Sequence, residues 1–284
     1  MHLAVLAAAA ILAASPATPP AAGWSQTAVG PDGGTLWSGR IPNTYEPWDT
    51  RTSDVYLPPG YDPSRRYPVL YLLHGLEGNP SEYWDSLHLV QRLDGLVASG
   101  SRPFVVVTPV GGQVVDPNAG EWAAGWEDFV VHDVVPWVDS HLSTIASPGG
   151  RALEGLCAGG YGAVDIGLRH PGVFGTLGSW EGYFTPFRDG PFVHATRAEL
   201  AAHDPTLLVR REAAALRTAG VRFYVSVGGN HGPIHFAWTL AFARELGALR
   251  LQHELWRLPA AEKGHFWNAT VPSALAYAAA GFSA

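Results

Sequence analysis

Short runs of apolar, often β-branched residues alternate with segments of helical spacing through roughly 230 residues, and this alternation constrains the chain most. Residues 54–57 and 67–73 read as strands, the second a continuous apolar run suited to a sheet covered on both faces. Residues 104–110, 152–156, 173–180, 223–227 and 253–258 read as further strands. Between them, residues 81–98 have helical spacing with Ser81 as a plausible cap. Residues 126–142 place Phe129, Val130, Val134, Trp137 and Val138 on one side of a helix. Helices are also expected to begin at 161–169 and to cover 237–246 and 271–279. The fold class is therefore α/β, a mostly parallel central sheet with helices on both faces. Such a sheet binds ligands at the carboxyl ends of its strands. Residues 182–205 fit neither period and read as an excursion over the sheet; residues 15–33, rich in Pro, Ala and Gly, read as a linker.

The segment Gly155-Leu156-Cys157-Ala158-Gly159-Gly160 lies between an expected strand and an expected helix. A nucleophile elbow, written G-x-S-x-G, needs small residues two before and two after its apex, because the apex sits in a strained turn. Gly155 and Gly159 hold those positions and Cys157 holds the apex. The N-terminus of the following helix favours negative charge, which for a thiol means more thiolate. The Ala158 N–H is then placed to receive an oxyanion.

Composition narrows the function. Of 284 residues 47% are hydrophobic and 15% charged, which suits a large core. The net charge of -7, with Lys263 the only lysine, argues against nucleic acid as a partner. An apolar run of about a dozen residues from Leu3 to Ala14, followed by small residues and prolines, reads as a signal peptide. Residues 1–22 are therefore assigned to a signal peptide and linker start, residues 23–284 to a single α/β domain. The protein is expected to be secreted, possible cell-envelope association included, with no stable membrane insertion after cleavage. Cys157 is the one cysteine, so no intrachain disulfide forms. No phosphate loop, dinucleotide fingerprint or metal motif supports a cofactor, and none is expected. His231 and His235 are four apart but lack a third ligand at a fixed offset.

Four motifs occur in order: Tyr56-Leu57-Pro58-Pro59-Gly60-Tyr61, then Tyr67-Pro68-Val69-Leu70-Tyr71-Leu72-Leu73-His74-Gly75, the Cys157 elbow, and Gly264-His265-Phe266-Trp267. On these, from Asp54 to the C-terminus, the chain resembles the esterase-D-like branch of the α/β-hydrolases. That branch includes S-formylglutathione hydrolases, enterochelin and feruloyl esterases and mycolyltransferase antigens. The resemblance implies Cys157 at the position of the nucleophilic serine, His265 as general base, and the Leu76 and Ala158 amides as the oxyanion hole. Relatives carry Asp or Glu beyond the strand at 223–227, where this chain reads Gly228-Gly229-Asn230-His231-Gly232. Glu181, one strand earlier, is the first choice for the triad's third member, and Asn230 the alternative. Trp180, Tyr183 and Trp122 are candidates for a substrate pocket.

These readings combine into an expected esterase, thioesterase or acyltransferase forming an S-acyl-enzyme on Cys157. Its substrate would be a small-molecule or glycolipid-like acyl ester. The alternative is a non-catalytic secreted binding protein on a degenerate esterase scaffold.

Overall fold

The computed structural model describes residues 18–76, 78–111, 121–228, 233–258 and 266–283. Among these, nine strands form one sheet: β1 (Ser25–Val29), β2 (Thr35–Gly39), β3 (Ser53–Leu57), β4 (Val69–Leu73), β5 (Val105–Thr108), β6 (Arg151–Leu156), β7 (Thr176–Trp180), β8 (Arg222–Gly228) and β9 (Gln252–Leu258). Their order is β1-β2-β3-β5-β4-β6-β7-β8-β9. The first four in that order pair antiparallel, and every pair from β5 across to β9 is parallel. Helices α1 (Leu89–Ala98), α2 (Gly125–Asp128), α3 (Val135–His141), α4 (Ala158–Arg169), α5 (Arg197–Ala202), α6 (Pro205–Ala219), α7 (Pro233–Ala248) and α8 (Phe266–Gly281) complete the architecture. It is the mostly parallel α/β arrangement expected from the alternating pattern, and the α/β-hydrolase fold that the resemblance implies.

Alternate residues of each central strand feed opposite cores, as the two-residue period of a strand requires. In β4, Val69, Tyr71 and Leu73 pack with residues of α3, α4, α6 and α7. Leu70 and Leu72 pack on the other face with Leu89 and Leu93 of α1 and Val271, Ala274 and Leu275 of α8. Burial on both faces is why β4 reads as an unbroken apolar run.

The segment expected as one helix over 81–98 is two elements. Glu82–Ser86 forms a π-helical turn, and His88, in the left-handed region (φ 52, ψ 44), precedes α1. Ser81 does not cap it with its side chain; its backbone N–H donates to Asn79 Oδ1 at 3.0 Å. The 126–142 segment is likewise divided, with a π-helical stretch at Phe129–Val134 between α2 and α3. The expected linker at 15–33 contains β1, which pairs with β2 as an edge hairpin.

Asp94 of α1 holds that hairpin. It is fully buried, and its Oδ2 accepts from the Asp32 and Gly34 N–H groups at 2.8 and 3.2 Å while Oδ1 accepts from the Tyr56 hydroxyl at 2.6 Å. Removing the carboxylate leaves three buried or half-buried donors unsatisfied, each costing about 1–3 kcal/mol. Asp94→Ala is therefore expected to destabilise the fold by roughly 3 kcal/mol, and Tyr56→Phe by about 1 kcal/mol. Urea unfolding measures both, and equal small losses would remove Asp94 from this role.

Glu154 of β6 is fully buried, and its Oε2 accepts from Trp180 Nε1 at 2.7 Å. Burial pushes its pKa up to about 8, against the opposing pull of the Trp180 bond and of Arg222. The folded chain thus keeps a proton that the unfolded chain releases from about pH 4.3 upward. Stability contributed by that proton is present below pH 4.3 and is lost as pH rises towards 8, by at most about 1.4 kcal/mol per pH unit. Glu154→Gln keeps an acceptor for Trp180 but cannot ionise. Its Tm relative to the parent chain should rise between pH 5 and pH 8, and a constant difference would exclude the effect.

Candidate active site

The carboxyl ends of β4, β6, β7 and β8 meet along one edge of the parallel sheet. His74-Gly75-Leu76 follows β4, Cys157 follows β6, Glu181 follows β7, and Gly228 closes β8. The sharpest turn is at Cys157, with φ 51 and ψ -117, between β6 and α4. Its N–H donates to the Trp180 carbonyl at 3.0 Å, and its carbonyl accepts from the Gly160 and Tyr161 N–H groups at 2.9 and 3.1 Å.

Glycine at 155 and 159 permits this turn. A Cβ at Gly159 would stand 1.9 Å from the Leu73 carbonyl oxygen, and one at Gly155 2.4 Å from the Gly159 oxygen. Both obstacles are backbone, so neither can yield. The His74–Leu76 loop approaches as closely: a Cβ at Gly75 would lie 2.8 Å from Leu156 Cδ1 and 3.3 Å from Cys157 Cβ.

Glu181 is also held at positive φ (60) and is buried. Its N–H donates to the Ser226 carbonyl at 2.8 Å, and its Oε1 accepts from the Gly228 N–H at 3.1 Å. The structure thus brings Cys157, Ala158, Glu181 and the 74–76 loop to one end of the sheet. Leu76 is about half exposed and Ala158 is buried. His265 and Asn230, expected as base and alternative third member, lie outside the described residues.

The pocket candidates divide. Trp180 is fully buried, bonded to Glu154 and edge-on to Tyr83 at 5.8 Å, so its indole belongs to the core beneath the cleft. Trp122 donates from Nε1 to the His74 carbonyl at 2.9 Å and packs against the His74 ring at 5.0 Å. Tyr183 stacks on Tyr161 at 4.9 Å, and its hydroxyl donates to Glu121 Oε1. His74 itself is buried, with Nδ1 donating to the Gly75 carbonyl at 2.9 Å. Burial holds its pKa down at about 4, so its imidazole is neutral.

The expectation of a cysteine nucleophile is corrected by two findings. The first is electrostatic. Burial pushes the Cys157 thiol up from its ordinary value, and the carboxylates of Glu121, Glu181 and Glu82 push the same way, against the Ala158 backbone hydrogen bond. The favourable helix end is outweighed by desolvation and surrounding acids, so the thiolate is disfavoured. The second is the placement of the imidazole–carboxylate couple. Among the described residues the most deeply buried such couple is His203 and Asp165, with Nδ1 2.8 Å from Oδ2. Glu127 joins them, the three potential ligand atoms lying within 4.8 Å of one another. Asp165 is seven positions beyond Ala158 along α4, so this couple stands about two turns from the turn at Cys157. The S-acyl-enzyme on Cys157 with His265 as base, and the assignment of Cys157 as a working stand-in for serine, are withdrawn with it.

Sequence reasoning also missed Glu121 and Glu82. Glu121 is buried, and desolvation pushes its pKa up to about 8 despite the Tyr183 hydrogen bond. Neither residue stands in a motif or at a diagnostic spacing; only the folded chain puts them near Cys157.

With the geometry in view, the chain belongs to the Esterase family, described as "Putative esterase", whose model matches residues 47–266. Esterase Rv1288 of Mycobacterium tuberculosis is 30% identical over 177 residues, covering 60% of this chain and 37% of that protein. The endo-1,4-beta-xylanase/feruloyl esterase of Xylanibacter ruminicola is 33% identical over 141 residues, covering 46% of this chain and 19% of that protein. The chain thus spans well under half the length of these two relatives. A ferulic acid esterase structure superposes with a TM-score of 0.76 at 19% identity, covering 88% of this chain and 99% of the other. An S-formylglutathione hydrolase from Agrobacterium tumefaciens superposes with a TM-score of 0.71 at 16% identity, covering 91% and 99%. At these identities the superpositions establish the shared fold.

The raised thiol has a direct consequence for reactivity. Alkylation by iodoacetamide requires thiolate, so Cys157 in the folded protein should react slowly at pH 7. Its rate should still be climbing at the ordinary thiol value of about 8.5. A rate–pH profile that levels off below pH 8 would show an activated thiol and reverse the correction.

Proposed function

We propose that the protein is an esterase that cleaves a small-molecule acyl ester at the carboxyl end of its parallel sheet. The observation that carries the reading is the glycine-flanked turn at residue 157, packed against Gly75. It sets two stretches of backbone, 74–76 and 157–159, side by side at the start of a twelve-residue helix. Amides of Leu76 and Ala158 so disposed suit the oxyanion that develops when an ester carbonyl is attacked, and donors fixed in advance stabilise it without reorganisation. Glu181, anchored through the Gly228 amide, is the carboxylate assigned to orient the proton-transfer partner at that edge. The attacking group is an oxygen nucleophile rather than a thiolate, because desolvation and the neighbouring acids oppose ionisation of the chain's one thiol.

Substrate class follows from the same surroundings. Glu121, at about 8, is predominantly neutral at pH 7, and Tyr183, Tyr161 and Trp122 are packed beside it. An uncharged, aromatic or short acyl group fits such walls better than a charged one. The family relatives that bear feruloyl esterase in their names support an aromatic acyl group. No helix among the described residues is long and apolar enough to cross a membrane. Export is retained as part of this proposal on the strength of the N-terminal sequence pattern. The binding-protein alternative is set aside, since no observation favours it over the catalytic reading.

p-Nitrophenyl acetate and methyl ferulate test the proposal. The full chain should hydrolyse at least one of them well above the buffer rate. Cys157→Ser, which exchanges a protonated thiol for a hydroxyl in the same turn, should match or exceed the parent kcat/KM. No hydrolysis of either ester by either protein would end the esterase reading. A tenfold or greater loss confined to Cys157→Ser would reinstate the thiol.

A further inference from the structure

A second polar centre lies away from the oxyanion turn, beneath the helices. Glu127 comes from α2, Asp165 from the middle of α4, and His203 from the residue that ends α5. We propose that Glu127, Asp165 and His203 form a binding site for a borderline divalent cation of the zinc type.

The donor set argues for that class. One imidazole nitrogen and two carboxylate oxygens suit zinc, whereas calcium and magnesium favour all-oxygen shells of six or more ligands. No thiolate is present to recruit a softer ion. The three candidate ligand atoms lie within 4.8 Å of one another. Around an ion with bonds of 2.0–2.1 Å, tetrahedral ligands stand about 3.3 Å apart. Rotation of side chains, above all the three-torsion Glu127, closes that difference.

A second, independent observation concerns Asp165. It is fully buried, and among the described residues its Oδ1 has no hydrogen-bond partner, while Oδ2 accepts from His203. A buried carboxylate oxygen without a donor is costly, and a cation is the strongest available compensation. Desolvation accordingly raises the Asp165 pKa in the absence of one, with the His203 hydrogen bond opposing it.

Glu127 is already engaged through Oε1 by Arg169 Nε at 2.8 Å and His170 Nε2 at 2.6 Å. Those donors orient the carboxylate while leaving Oε2 for a ligand role, the way outer partners fix ligating carboxylates. A cavity of about 450 Å³ opens beside the centre, lined by Glu127, His170, His194, Glu199 and His203. It leaves room for water beside the three ligand atoms. Phe192 packs on the His203 ring at 5.0 Å and limits its rotation.

The test uses tag-free full chain titrated with zinc chloride against a chromophoric chelator. One equivalent should bind with a Kd below about 10 μM, at least tenfold tighter than in Asp165→Asn and His203→Ala. Absence of saturable binding by the parent chain at 100 μM zinc overturns the proposal, as does equal affinity in both variants. Should either variant lose its native circular dichroism, Glu127→Gln takes its place, with a tenfold loss again expected and equality again fatal. Zinc affinity is read without reference to ester hydrolysis, so this site and the esterase reading fail separately.

Discussion

The close approach of the β6–α4 turn to the end of β4 is the constraint on which the rest of the structure depends. Only 1.9 Å would separate a Cβ at position 159 from the Leu73 carbonyl, so no side chain fits there without moving the central strands. That contact fixes where α4 starts, and α4 in turn is buried from Ala158 to Leu168. Everything placed by α4 inherits this position: the Ala158 amide at its first residue and Asp165 at its centre. A helix pressed so closely against the sheet cannot slide to accommodate a ligand. The fold therefore offers a rigid backbone at the sheet edge, which is what preorganised stabilisation of a developing charge requires.

The same burial governs the electrostatics. Glu154 and Glu121 are both pushed up to about 8, so two carboxyl groups near the centre of the molecule are largely protonated at pH 7. Cys157 shares that environment, and the helix terminus it caps is too weak a field to offset it. A helix end contributes typically 0.3–1 kcal/mol, whereas burying a charged group costs several. The sequence motif carries information about the shape of the turn but none about the three carboxylates that surround it. This is the physical reason why a glycine-flanked cysteine before a helix does not amount to an activated thiolate.

Much of the fold was legible because the central parallel strands are buried on both faces and so are rich in apolar residues, β4 without interruption. β4, β6 and β8 stand within a residue or two of their expected bounds. β1 escaped because it is an exposed edge strand of mixed polarity, Ser25 to Val29, inside a stretch rich in Pro and Gly. α6 escaped although its signals are strong: Asp204 accepts from the Leu207 N–H, Pro205 opens the helix, and Gly220 closes it in the left-handed region. The break at His88 had no sequence signal, since left-handed backbone at a non-glycine residue is a tertiary effect. In the site, the turn at 157 and the strand-end position of Glu181 were visible from local sequence. The His203–Asp165 couple was not, because its members are 38 residues apart and meet only through the packing of α5 and α6 on α4.

Separation of the two polar centres along one helix has a structural logic of its own. At its N-terminus α4 presents amides that favour developing negative charge. Seven residues on, the same buried helix carries Asp165, whose Oδ2 accepts from His203 Nδ1. Placing a carboxylate–imidazole couple two turns from the oxyanion position keeps its charge out of the field that the amides supply. Glu127, tied to Arg169 and His170, adds a further anion at that distance while holding its countercharge beside it. The helix can thus hold an amide-bearing end and, two turns on, a buried polar middle.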